Sequence, residues 1–60
     1  MDLLFIQEVA DLTRIAPNSL RNMRTEGRGP KSFKLGRRVV YKREDVLAWI
    51  DAQYNGQVAV

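Results

Sequence analysis

From Ile6 to Ile15 the apolar residues Ile6, Val9, Ala10, Leu12 and Ile15 recur at three- and four-residue steps, while Gln7, Glu8, Asp11 and Arg14 fill the opposite face. That spacing predicts an amphipathic helix with one buried stripe. Pro17 cannot continue it, because proline lacks the backbone N–H and disfavours helical geometry at Ala16, but it suits the first turn of a new helix. A second helix is therefore expected from Pro17 to about Glu26, with Leu20 and Met23 inward. Gly27 is placed to take the left-handed conformation that closes a helix. Gly27-Arg28-Gly29-Pro30 then reads as a loop.

After Pro30 the period changes. Ser32-Phe33-Lys34-Leu35 and Val39-Val40-Tyr41 flank a glycine turn and predict a β-hairpin. A three-residue loop, Gly36 to Arg38, sets Leu35 opposite Val39 and Phe33 opposite Tyr41; a two-residue loop puts Val40 inside instead. The longer loop is preferred, since it gives one consistent inner face. A third helix is expected from about Arg43 to Gln53, opened by Glu44 and Asp45, whose carboxylates suit the helix dipole. Its inward stripe is Val46, Trp49 and Ile50. Trp49, Tyr41 and Phe33 are read as core anchors, Gly56 as a helix breaker, and residues 55–60 as a flexible tail that follows a single domain over residues 1–54.

Composition narrows what such a unit can do. A chain of 60 residues has room for one small core and no deep cleft. With no Cys and no His it offers no disulfide, no thiolate zinc site and no imidazole base. Glu44 and Asp45, adjacent on a helix, diverge by about 100° and read as a cap rather than a metal site. Catalysis, cofactors, metals and a small-molecule substrate are accordingly not expected. The apolar runs are far shorter than the ~20 residues of a membrane span, so no membrane association is expected and a cytoplasmic, nucleoid-associated location is.

Charge changes the picture further. Residues 1–20 sum to −2, residues 21–43 to +8 and residues 44–60 to −3, so a net charge of +3 conceals nine cations concentrated around the second helix and the hairpin. Such a block suggests a nucleic-acid face, and the helix and hairpin that carry it point to double-stranded DNA as partner. The polar face of the second helix, Asn18, Ser19, Arg21, Asn22, Arg24 and Thr25, has the composition that reads base edges in the major groove, where Arg pairs with guanine and Asn with adenine. Arg37 and Arg38, at the hairpin tip, suit a narrow, electronegative minor groove. Arg28, Lys31, Lys34, Lys42 and Arg43 read as phosphate contacts, which raise affinity without choosing sequence.

The order of residues resembles the excisionase and AlpA-like family, related to the MerR-type DNA-binding domain. The resemblance runs from Leu3 to about Ala52. It rests on Gln7-Glu8-Val9-Ala10-Asp11-Leu12, Pro17, Leu20, Arg24, Glu26-Gly27-Arg28-Gly29-Pro30, Lys34-Leu35-Gly36-Arg37-Arg38-Val39, Tyr41, and Arg43-Glu44-Asp45-Val46 leading to Trp49-Ile50. It departs where Phe5 stands for the usual Ser or Thr before the first helix, Ala16 for the cap before Pro17, and Met23 for a frequent aromatic. Losing a capping hydroxyl at Ala16 typically costs ~1 kcal/mol, partly offset by Pro17.

The resemblance implies a mainly α fold with a small β-hairpin, a winged helix-turn-helix of three helices and a two-stranded antiparallel wing. It also implies a non-enzymatic phage or mobile-element recombination directionality factor. Such a protein binds repeated sites beside an attachment site, bends the DNA, self-associates along it and helps an integrase excise. The family also contains transcriptional regulators, and a protein-interaction adaptor with a basic face is the alternative from another class.

Overall fold

The computed structural model describes residues 2–58. Its elements run β1 (Leu3–Leu4), α1 (Ile6–Thr13), α2 (Pro17–Thr25), β2 (Phe33–Leu35), β3 (Arg38–Lys42) and α3 (Arg43–Gln57). Three helices and an antiparallel hairpin, as the periodicity predicts, form the winged helix-turn-helix that the resemblance implies. The hairpin gains a further strand, because Leu3 and Leu4 pair with Lys42 and Tyr41 to give the sheet order β1-β3-β2. Two residues of an apolar run carry no alternation, so nothing in the pattern marked this strand.

α1 ends earlier than its stripe suggests. Arg14 closes it in the left-handed region at φ 63°, and Thr13 Oγ1 both donates to the Val9 carbonyl at 2.7 Å and accepts from the Ile15 N–H at 3.3 Å. At its start Phe5 supplies no side-chain cap, but its own N–H donates to Glu8 Oε1 at 2.9 Å, which is half of a capping box. α2 opens on Pro17 with Ala16 as an uncapped N-cap. It closes as the sequence predicts: Gly27 adopts φ +76°, the Arg28 N–H donates to the Met23 carbonyl at 2.7 Å, and the Gly27 N–H donates to that of Arg24 at 3.1 Å, a Schellman motif.

Leu4, Val9, Leu20, Tyr41 and Val46 form the buried core, with Ile6, Ala10, Ile15, Met23, Val39 and Ile50 packed around it. α1, α2, β3 and α3 thus each contribute to one small core, whereas Leu12 stays exposed on α1 and β2 adds nothing to it.

The hairpin register differs from the expectation. Leu35 pairs with Arg38, Lys34 with Val39 and Phe33 with Val40, so the loop is the two-residue Gly36-Arg37 turn. Positive φ at Gly36 and not at Arg37 is the pattern of a type II′ turn, whose twist matches that of the strands. Val39 and Tyr41 face the helices while Val40 is buried on the other face, where Phe33 is its cross-strand partner and Phe5 follows the Leu4–Tyr41 pair alongside it. Phe33 and Leu35 consequently remain exposed, Phe33 at 41%, instead of joining the core.

α3 runs through Gly56 to Gln57, so residues 55–57 are helical rather than part of a tail. Ala59 and Val60, the end of the expected tail, lie outside the described residues. Val46 is fully buried and Ile50 packs on the core, whereas Trp49 is half-buried beside Gly29, Lys31 and Ala48 and is not a central anchor.

Candidate nucleic-acid interface

All six polar side chains expected to read bases lie exposed on α2. At about 100° per residue, Asn18 and Asn22 point ~160° away from buried Leu20, Thr25 ~140°, Arg21 and Ser19 ~100° on opposite flanks, and Arg24 only ~40°. Arg21 Nη1 donates to Asn18 Oδ1 at 2.8 Å, and Thr25 Oγ1 donates to the Arg21 carbonyl at 3.0 Å. The outermost part of the helix is therefore an Asn18–Arg21–Asn22–Thr25 surface, with Arg24 turned toward the wing.

The wing meets that flank. Arg21 and Arg24 from α2 and Arg37 and Arg38 from the wing line one open depression of about 240 Å³, walled by Phe5, Ile6 and Val39. The Arg38 guanidinium carbon stands 4.0 Å from the centre of the Phe5 ring, a cation–π stack. Among the described residues none of these four arginines has a carboxylate within 4.0 Å. Burial raises the pKa of Tyr41 above its ordinary value, and the charges of Arg24 and then Arg21 hold the rise back. Nearby Tyr41 thus feels the positive potential of the cup.

The expected phosphate contacts separate into two groups. Arg28 is held by Glu26, at 2.6 Å from Nη2 and 2.8 Å from Nε, Lys42 by Glu44 at 3.1 Å, and Arg43 by Asp2 at 3.4 Å. The hydrogen bond to Glu44, then its charge and that of Asp45, raise the Lys42 pKa. Lys42 also ends the strand that Arg38 begins, and four strand steps place the two Cα atoms ~13 Å apart. Lys31 and Lys34 are exposed and have no carboxylate within 4.0 Å among the described residues.

The helix-turn-helix domain family, which comprises AlpA- and excisionase-like small DNA-binding proteins, matches residues 3–54. The chain belongs to this family. No curated protein and no solved structure matches it. The family is typically non-enzymatic. Within this helix-turn-helix protein, α2 occupies the place of the second helix of the motif and β2–β3 that of the wing, so the arginine cup lies between the two parts that such proteins turn toward nucleic acid. Phe5 is the site residue that the sequence did not disclose. It stood out only as an aromatic where a capping hydroxyl is usual, a signal that gives no direction for its ring. No group of three or more His, Cys, Asp or Glu able to hold a metal occurs among the described residues, and no described helix is long and apolar enough to cross a membrane.

Proposed function

We propose that this protein is a sequence-specific, DNA-bending recombination directionality factor, and not an enzyme. α2 enters the major groove through Asn18, Ser19, Arg21, Asn22, Arg24 and Thr25, and the wing engages the adjacent minor groove through Arg37 and Arg38. The observation that carries DNA binding is the convergence of four arginines, without carboxylate partners among the described residues, on the junction of α2 and the wing. Like charges gathered in this way repel one another, so stability alone does not favour the arrangement, whereas a polyanion does.

The excisionase role is supported by the resemblance of the sequence and by size. A single module of this kind offers an interface of about 600–1,000 Å², so firm occupancy calls for adjacent copies along the DNA, and an array of copies bends it. In this reading an integrase is the partner in recombination, and the protein works in the cytoplasm of a bacterial host at the nucleoid. The test is selection of bound fragments from the source genome, followed by footprinting and bending assays. Clustered, evenly spaced sites beside an integrase attachment region, with bending, support the reading. A lone promoter site indicates a transcriptional regulator of the same fold, and no enrichment over random DNA indicates an adaptor.

A further inference from the structure

Arg24 sits on the wrong side of α2 to read bases together with Asn18 and Asn22, being turned ~120° from the first and ~160° from the second, toward the wing. There it meets Arg38, whose flat face is taken up by the Phe5 ring at 4.0 Å. Stacking occupies the face of a guanidinium and leaves the N–H donors on its edge free, and those donors form the planar fork that matches a phosphate. Arg21 and Arg37 line the same depression, and no acidic side chain does.

We propose that this cup is a phosphate site. In the DNA complex it holds one backbone phosphodiester of the strand that passes between the groove under α2 and the groove under the wing. Arg24 and Arg38 are its principal ligands, and Phe5 is the positioning residue that presets Arg38. The inference rests on the DNA-binding reading of this face; it reassigns Arg24 from base reading, and Arg38 from the minor groove, to backbone clamping, and leaves the minor groove to Arg37. It also gives Phe5 a use at a position where the helix forgoes a side-chain cap.

The test is a duplex carrying the selected site with single neutral methylphosphonates scanned along each strand. Wild-type binding should fall about tenfold at one phosphate per site, the loss of a charge-assisted contact, and by little at its neighbours. Arg24→Ala should bind unmodified DNA about tenfold more weakly and show no further loss at that phosphate, the signature of coupling. Phe5→Leu, which keeps apolar bulk without the ring, should lose most of the Arg38 coupling there, and Phe5→Tyr should restore it. A loss spread evenly along the backbone, or an undiminished effect in Arg24→Ala, overturns the assignment while leaving DNA binding intact. If the protein selects no DNA, the function proposed above fails on its own. The cup is then tested with inorganic phosphate: NMR shifts confined to the Nε–H signals of its arginines uphold a phosphate site, and their absence removes it.

Discussion

The basic block that looks uniform in sequence divides into two regions in the fold. At the α2–wing junction Arg21, Arg24, Arg37 and Arg38 converge with no carboxylate near them among the described residues, whereas Arg28, Lys42 and Arg43 each hold an acidic partner. Equal formal charge is therefore not equal availability. A cation already paired must exchange a carboxylate for a phosphate and gains little, while an unpaired one adds its whole attraction. Glu26 within the block holds Arg28, while the acidic ends of the chain supply the other two partners, Asp2 from one side and Glu44 from the other, and both sit where β1 joins β3. They mask the far end of β3 and leave the wing end bare.

The largest effect expected is on the frame itself. Leu20→Ala should destabilise the fold by about 2–5 kcal/mol and abolish binding at every salt concentration, seen as a lowered denaturant midpoint, because buried Leu20 ties α2 to the core. Next, Arg24→Ala and Arg38→Ala should each weaken DNA binding about tenfold with thermal stability kept, against at most about twofold for Arg28→Ala or Lys42→Ala. Similar losses in both groups, measured by titration of a labelled site, would erase the contrast.

Relieving the masking should act in reverse. Glu44→Gln frees Lys42 and should raise affinity for random DNA about twofold and steepen the salt slope by up to ~0.9. Arg14→Gly, remote from the cup, should stabilise the protein by about 1 kcal/mol by removing a left-handed non-glycine residue, with DNA affinity unchanged.

The smallest effect is spectroscopic. Tyr41 gives up its proton above its ordinary pKa because burial disfavours phenolate, so its contribution to stability is complete below pH ~10 and is lost as pH rises through the folded value. An anion in the cup neutralises Arg24 and Arg21 and should move the tyrosinate transition, followed by absorbance, still higher. An unmoved transition would place the anion elsewhere.

Much of this was legible along the chain. Pro17 and Gly27 mark the limits of α2, the one because its ring fixes φ for a first helical turn and the other because it takes positive φ without strain, and the stripes of α1 and α3 name Val9 and Val46 correctly. The wing register was not legible. Val39-Val40-Tyr41 is a continuous apolar run, and alternation cannot decide which face is inner when helices cover one side and aromatic side chains flank the other. Trp49 follows the helical stripe yet lies at its margin, and Gly56 is tolerated inside an exposed last turn, where nothing lies within 4 Å of the position a Cβ would take. The base-reading surface was visible as composition. The cup was not, because it joins residues from α2, the wing turn and the chain before α1, and no spacing within one segment records that meeting.

Salt dependence counts the cations that meet DNA. Of the nine cations between residues 21 and 43, three are ion-paired, which leaves six and predicts a log–log slope of about −5 for wild-type binding at the selected site. The measurement is that slope in wild type, in the Arg24→Ala/Arg38→Ala double variant and in the Arg28→Ala/Lys42→Ala double variant. The first pair of substitutions should flatten it by about 2 and the second should leave it nearly unchanged. A wild-type slope near zero, or the same flattening in both variants, would contradict the account.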